Sequence, residues 1–229
     1  MKIAICAAVL FLSMLLPAAD AEAEIVDLQL VLAIDVSSSV NYDEFGLQLR
    51  GYLQAFNDPA ILAAIKAGPN RKIAVAVIQW AGEGQQQLSI DWSVLSSAED
   101  VQQFSRKIEY MPRAFNSGGT SVAGALSFAS TRFSGAPFQP LRRVIDISGD
   151  GRSSVGPAPD KIRDKILSAG ITINGLPILN EDARLDQYYR DTIIGGLGAF
   201  TEIAADFSDF SRAIKSKLAQ EIKGVWYGM

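Results

Sequence analysis

Three turns in the sequence concentrate small side chains that carry oxygen. The first turn, 35–39, reads Asp-Val-Ser-Ser-Ser and follows an apolar run that ends at Ile34. The second, 116–120, reads Asn-Ser-Gly-Gly-Thr, and the third, 148–151, reads Ser-Gly-Asp-Gly after another apolar run. Open parallel sheets bind ligands outside the carboxyl ends of their strands, so turns at such positions are candidate binding sites.

The oxygen donors of these turns suit a hard divalent cation. Asp35 and Asp150 supply carboxylates, and Ser37, Ser39 and Thr120 supply hydroxyls, which together make an all-oxygen set. Mg2+ takes about six oxygen ligands and keeps water readily, so water or a carboxylate of another molecule would complete this set. We expect these five residues to be metal ligands, with Mg2+ as the cation and Mn2+ or Ca2+ as alternatives.

Each turn also has a simpler explanation. Ser37 and Ser39 could cap the following helix, and Thr120 could begin a helix after its two glycines. Asp150 followed by Gly151 could be an ordinary turn. The recurrence of the pattern at three predicted ends of the sheet favours the metal site over these explanations.

The segments between the turns predict alternating strands and helices. Apolar runs predict strands at 25–34, 72–80, 143–148, 170–178 and, more weakly, 199–203. Apolar residues at intervals of three and four predict helices at 43–56, 98–108, 121–133, 158–168 and 207–222. The turn-rich link 81–84 predicts that 86–92 forms an antiparallel edge. We therefore expect one three-layer, Rossmann-like α/β domain over 22–229, with a mostly parallel central sheet and helices on both faces.

The composition of the chain removes several functions. Its 229 residues include no His, which excludes Ser-His-Asp and Cys-His catalysis and His-ligated zinc or haem. The formal net charge is -4, so the chain lacks the excess of Lys and Arg with which proteins bind nucleic acid. We expect no nucleic acid partner, and the sequence carries no signal for an oligomeric state.

The first residues predict a signal peptide. Lys2 precedes an apolar stretch from Ile3 to Leu16, and 19–21 reads Ala-Asp-Ala, a small-x-small cleavage pattern. A stretch of about 14 apolar residues is too short for a transmembrane helix, which needs about 20. Cleavage after Ala21 would remove Cys6, the single cysteine. We expect a periplasmic or secreted protein with no membrane span after cleavage.

Two positions need an interpretation of their own. Asp146 interrupts the apolar run 144–147, where a buried carboxylate must find partners or cost a few kcal/mol. We interpret it as a structural residue that is hydrogen-bonded or ion-paired, in preference to a support of the metal site. The pair Tyr188 and Tyr189, beside Arg190, is interpreted as part of a solvated helix face.

The order of the three turns resembles the metal-ion-dependent adhesion site of von Willebrand factor A-type (vWA) domains. That site combines D-x-S-x-S after an apolar strand, a Gly-Gly-Thr turn before a helix and an Asp-Gly pair after a later strand, all of which occur here in order. The likeness extends over about 25–222. The chain also resembles exported single-domain vWA-like proteins of Gram-negative bacteria, a likeness that implies no particular activity.

The resemblance implies a role for each candidate ligand. Ser37, Ser39 and Thr120 would contact the cation through their hydroxyls, while Asp35 and Asp150 would act largely through water and hold the charge. Neutral hydroxyl ligands leave a cation able to attract an acidic group of a partner. The chain departs from the family at Gly149, where many members have Thr, which predicts a more mobile loop and weaker support of the site.

Functions of different classes fit this sequence. The preferred hypothesis is a non-enzymatic, exported binding module whose cation bridges to an Asp or Glu of a protein partner. The alternative is an exported metal-dependent phosphohydrolase of haloacid dehalogenase-like type, in which the aspartate after the first strand accepts a phosphoryl group. That chemistry needs a second carboxylate two residues later, where Ser37 stands. A third possibility is a structural domain that binds no ion.

Overall fold

Eight helical or π-helical segments and seven strands alternate in the computed structural model, which describes residues 23–224. The predicted signal peptide, its cleavage site and residues 225–229 lie outside the described residues. The strands are β1 (Glu24–Val26), β2 (Leu28–Asp35), β3 (Ile73–Trp80), β4 (Gln86–Leu95), β5 (Phe138–Pro140), β6 (Arg143–Gly149) and β7 (Thr172–Pro177). The helices are α1 (Tyr42–Phe56), α2 (Pro59–Ala67), α3 (Ala98–Glu109), α4 (Val122–Thr131), α5 (Pro159–Ser168), α6 (Leu185–Tyr188), a π-helical turn (Tyr189–Ile193) and α7 (Phe210–Lys223).

Five of the strands form the central sheet in the order β4-β3-β2-β6-β7. Pairings β2 with β3, β2 with β6, and β6 with β7 are parallel, and β4 runs antiparallel to β3. The predicted antiparallel edge is therefore confirmed. Because β2 lies between β3 and β6, its carboxyl end is the centre of the edge where the other parallel strands also end.

Helices cover both faces of the sheet. Alternate residues of β2 point to opposite sides, so that Leu30 and Leu32 join one buried apolar cluster and Val31 and Ala33 join the other. The first cluster includes side chains of α1, α2, α3 and α7, and the second includes side chains of α4, α5 and α6. These three layers confirm the predicted α/β fold class. Within residues 23–224, no helix is both long and apolar enough to cross a membrane.

The structure differs from the predicted elements in two helical segments and at three places in the strands. The run predicted as one strand at 25–34 is divided into β1 and β2, and β5, which pairs in parallel with β1, was not predicted. Helix α2 was not predicted, although Asp58 accepts a hydrogen bond from the Ala60 N–H and a proline follows at the first helical position. The helical segment 185–193 was not predicted either. The weak strand predicted at 199–203 makes only isolated bridges, because Asn174 Oδ1 accepts the Phe200 N–H that a strand pairing would use.

Asp146 is ion-paired inside the layer between β6 and α7. Lys217 Nζ lies 2.6 Å from Asp146 Oδ1 and 2.5 Å from Glu221 Oε1, and all three side chains are buried. Burial, and then the charge of Glu221, raise the pKa of Asp146 to about 7, although Lys217 acts in the opposite direction. The structural interpretation of Asp146 is therefore confirmed.

Loss of the buried ammonium group should destabilise the domain. We expect Lys217→Met to lower the free energy of unfolding by about 3–5 kcal/mol, because it leaves two carboxylates buried without their cation. The matched control is Lys215→Met in the same helix, whose ammonium is 3.4 Å from Asp58 and whose side chain is 53% exposed. Exposed pairs contribute about 1 kcal/mol or less. Equal losses in urea unfolding of the two variants would contradict a structural role for the buried pair.

Candidate metal centre

The five predicted ligands come from three segments that meet at the carboxyl end of the sheet. Asp35 is the last residue of β2, and Asp150 directly follows β6, the neighbouring parallel strand. Thr120 lies two residues before α4 begins. Ser37 and Ser39 follow β2 in a turn. The parallel pairing of β2 and β6 therefore brings together acidic groups that are far apart in the sequence.

A chain of hydrogen bonds joins four of these residues. The Ser37 N–H donates to Asp35 Oδ1 over 2.8 Å, and the hydroxyls of Ser37 and Ser39 are 3.2 Å apart. The Ser39 hydroxyl donates to Asp150 Oδ1 over 2.7 Å. One side of each carboxylate is thus held by the serine turn.

Main-chain hydrogen bonds to Ser154 hold Thr120 near the turn that carries Asp150. The Thr120 N–H donates to Ser154 Oγ over 2.9 Å, and the Ser154 N–H donates back to the Thr120 carbonyl over 2.8 Å. A Cβ atom added at Gly151 would lie 3.8 Å from Thr120 Oγ1. The structure therefore places Thr120 against the turn that carries Asp150.

The simpler explanations of the turn residues are wrong for both helices. Asn41 caps α1, with its side chain accepting from the Glu44 N–H and the Glu44 carboxylate accepting from the Asn41 N–H. Ser121, and not Thr120, caps α4. Ser37, Ser39 and Thr120 are thus not used as helix caps.

Both aspartates of the site are buried. Burial, and then the charge of Asp150, raise the pKa of Asp35 to about 7. Burial also raises the pKa of Asp150, and the charges of Glu181 and Glu44 act in the same direction. Each aspartate has one oxygen, Oδ2, that is buried and accepts no hydrogen bond from the described residues. Two neighbouring buried carboxylates with unpartnered oxygens form a site that favours a cation.

The residues at this site fit a hard divalent cation better than a soft one. Their contacting groups are carboxylates and hydroxyls, which magnesium and calcium prefer. In the part of the chain that the structure describes, His, Cys, Asp and Glu form no group of three that could hold a metal ion. A cation here would therefore depend on the hydroxyls of Ser37, Ser39 and Thr120, and on water.

Two residues that were not predicted as part of the site donate hydrogen bonds to main-chain carbonyls of the serine turn. Gln48 is buried on α1, and its amide donates to the Asp35 carbonyl over 3.1 Å. Arg113 donates through Nη2 to the carbonyls of Val36 and Ser37, each over 3.0 Å. No short motif marks Gln48 or Arg113, because each acts on main-chain atoms of a distant segment.

Gly149 is the point where the chain departs from the family pattern, and the structure places it in a crowded position. It is the last residue of β6, and its carbonyl accepts the Ile178 N–H over 3.0 Å. A Cβ atom at this position would lie 2.7 Å from Asp35 Oδ2, 3.0 Å from Tyr189 Oη and 3.2 Å from Trp80 Cζ2. A side chain at position 149 would therefore crowd these groups, and they or the strand would have to shift.

The placement of Tyr189 contradicts its interpretation as part of a solvated face. Its side chain is fully buried, whereas Tyr188 is only half-buried. The burial of Tyr189 was not predicted because its neighbours, such as Arg190, are polar. Gly149 could have indicated it, since a glycine within a strand often marks the close approach of another group.

Comparisons with solved structures show that the order and layers of these elements are those of the vWA fold. Proximal thread matrix protein 1 from the mussel byssus, in a structure with a zinc-occupied MIDAS motif, matches with a TM-score of 0.62 and 17% identity over 89% of this chain and 50% of that chain. A von Willebrand factor type A protein from Catenulispora acidiphila matches with a TM-score of 0.59 and 14% identity over 86% and 43% of the two chains. The vWF domain of the pilus tip protein Mfa5 from Porphyromonas gingivalis matches with a TM-score of 0.52 and 13% identity over 84% and 96%.

The chain belongs to the family DUF1194, described as proteins of unknown function, whose family model matches residues 25–226. It spans half or less of the length of the mussel and Catenulispora structures. A comparison with curated proteins finds no match. At these low identities the structural likeness establishes the fold alone.

The metal-free protein should lose stability as the pH rises from about 4 to about 7. The pKa of Asp35 is about 7 in the folded state and near 3.8 when unperturbed, so the folded state binds a proton that the unfolded state has lost across this window. This contribution is complete below pH 4 and disappears by pH 7, with a slope of at most about 1.4 kcal/mol per pH unit. Urea unfolding in EDTA would measure it.

The control variant is Asp35→Asn, which retains an oxygen for the Ser37 N–H and does not titrate. We expect a shallower dependence of its stability on pH, with the remaining slope due to groups such as Asp146. Parallel pH profiles of the parent and the variant would contradict the raised pKa of Asp35.

Proposed function

We propose that this protein is an exported, non-enzymatic vWA-type binding module that holds a divalent cation between β2, β6 and the turn before α4. Asp35 and Asp150 would supply the negative charge, and Ser37, Ser39 and Thr120 would supply neutral hydroxyl ligands. Mg2+ is the proposed cation, with Mn2+ or Ca2+ as alternatives. The cation would act as a Lewis acid that accepts an oxygen ligand from a partner.

The observation that carries this proposal is the pair of buried carboxylates with unpartnered oxygens. Asp35 Oδ2 and Asp150 Oδ2 lie buried beside hydroxyl groups, and burial of both acids raises their pKa values. A bound cation would compensate the charge that burial makes costly. The zinc-occupied MIDAS motif of the mussel protein supports a divalent cation in a domain of this fold.

The proposed partner is a protein that presents an Asp or Glu to the cation. Three neutral hydroxyls and two carboxylates leave coordination positions to water, which a partner's carboxylate can replace. The presence of this fold in a byssus matrix protein and in a pilus tip protein supports a role in protein interaction outside the cytoplasm. The comparisons do not support the haloacid dehalogenase-like alternative, and Ser37 lacks the carboxylate that its mechanism needs.

Magnesium should stabilise the native protein against heat. At a concentration one hundred times the dissociation constant, the expected gain is about 2.7 kcal/mol, because ligands from three segments cannot bind the cation equally well in the unfolded chain. Asp35→Ala should remove this stabilisation, and Thr120→Val should weaken Mg2+ binding while leaving the protein folded. Thermal unfolding with MgCl2 and with EDTA measures both effects.

The matched control is Asp164→Ala, since this carboxylate is 66% exposed on α5 and lies outside the site. It should respond to Mg2+ as the parent does. A response of Asp35→Ala equal to that of Asp164→Ala would exclude the proposed ligands, and the absence of any response in the parent would exclude the metal site.

The bound cation should hold exchangeable water that a carboxylate displaces. We expect Mn2+ bound to the protein to enhance the relaxation of water protons, and acetate to reduce this enhancement by taking the place of water. Sodium chloride at the same ionic strength is the control and should have little effect. An enhancement that acetate leaves unchanged would contradict the proposed bridge to an acidic partner, even if the metal site itself is correct.

A further inference from the structure

The ring of Tyr189 occupies a slot made by glycines on two adjacent strands. A Cβ atom at Gly175 in β7 would lie 2.5 Å from Tyr189 Cδ1, so a larger residue there would exclude the ring. A Cβ atom at Gly149 in β6 would lie 3.0 Å from the Tyr189 hydroxyl. The two glycines therefore leave room for both the ring and the hydroxyl of Tyr189. This indicates that the strands are shaped to accommodate the whole side chain.

The hydroxyl of Tyr189 and the carboxylate of Asp35 lie on the same side of Gly149. Tyr189 Oη and Asp35 Oδ2 lie within 3.0 Å of one point, the position that a Cβ at Gly149 would occupy. Tyr189 is fully buried, and neither of these two oxygens has a hydrogen-bond partner among the described residues. A buried donor without a partner is unfavourable, and a phenol beside a carboxylate oxygen can satisfy both groups.

The backbone at Tyr189 is irregular in a way that suits this placement. The residue begins a π-helical turn, in which the Ile194 N–H donates to the Tyr189 carbonyl over 3.0 Å. Such turns are rare and occur frequently at functional sites. Here the turn packs against β7. The side chain of Tyr189 is buried beside Gly149 and Gly175, while that of its neighbour Tyr188 is half-buried.

We propose that Tyr189 is a positioning residue of the metal centre, whose hydroxyl donates a hydrogen bond to Asp35 Oδ2 once a cation is bound and fixes the orientation of that carboxylate. This inference rests on the proposed function, because it gives Asp35 a partner for its role as a charged group of the site. The Ser37 N–H holds Oδ1 of the same carboxylate, so Tyr189 completes the support on the opposite oxygen. Groups that hold metal ligands in this way commonly change metal affinity by about 10- to 100-fold.

The test is Tyr189→Phe, which removes the hydroxyl and keeps the ring that the two glycines accommodate. We expect the dissociation constant for Mg2+, measured by calorimetry on the full exported chain, to rise by about 10-fold or more. The melting temperature in EDTA should not fall, because the hydroxyl has no partner in the described structure. A purely structural tyrosine would behave in the opposite way, with a lower melting temperature and an unchanged Mg2+ affinity.

Tyr52→Phe is the matched control. Tyr52 is also fully buried with an unpartnered hydroxyl, but it lies in the cluster on the other face of the sheet. Removal of the Tyr52 hydroxyl should leave the Mg2+ affinity within twofold of the parent value. A second measurement is the near-ultraviolet tyrosine difference spectrum on addition of MgCl2, which should be present in the parent and in Tyr52→Phe and absent in Tyr189→Phe.

The outcomes separate this proposal from the proposed function. If the parent binds no divalent cation, both are overturned. If the parent binds Mg2+ and Tyr189→Phe binds it equally well, the metal site stands and the positioning role of Tyr189 is overturned. An equal loss of affinity in Tyr52→Phe and Tyr189→Phe would also overturn it, since the effect would then not depend on Asp35.

Discussion

Two carboxylates buried at the ends of adjacent parallel strands are the constraint on which the rest of this site depends. Asp35 and Asp150 are held in place by the pairing of β2 with β6, and burial makes the ionised form of each unfavourable. The serine turn donates a hydrogen bond to one oxygen of each acid. The second oxygen of each acid, Oδ2, is buried without a partner among the described residues. It needs a cation, a proton or a hydrogen-bond donor from another element.

The same domain contains another buried acid, Asp146, which is paired with a cation of the protein itself. Asp146 lies on β6, four residues before Asp150, and the ammonium of Lys217 neutralises it from α7. Among residues 23–224, neither Asp35 nor Asp150 takes part in a salt bridge. Arg113 is the cation beside the serine turn, and its Nη2 donates to main-chain carbonyls. The compensating charge at the carboxyl end of the sheet would therefore have to come from solution.

The fold, and the meeting of Asp35 with Asp150 at one edge of the sheet, could be predicted from the sequence, because both follow from the spacing of apolar residues along the chain. Buried strands and amphipathic helices have distinct periodicities, and parallel strands place their carboxyl ends on one edge. Asp35 and Asp150 were therefore expected to meet, and the structure brings them together. The supports of the site were not predicted, because Gln48, Arg113 and Tyr189 reach it through tertiary packing that no local spacing encodes. Gly149 was seen as a departure that weakens the site, whereas the structure gives it a packing role.

The charges around the site determine the order in which a cation and an acidic partner would bind. Glu44 and Glu181 both act on Asp150, so without a cation the site and its rim present several negative groups to an approaching molecule. An acidic side chain of a partner would be repelled by these groups, and it would also lack a ligand to coordinate. A divalent cation would offset the charge of the two aspartates and offer a coordination position at the point of contact, while the rim would remain acidic. If the proposed function is correct, the cation must bind first, and the acidic rim then favours partners whose carboxylate is accompanied by basic or neutral neighbours.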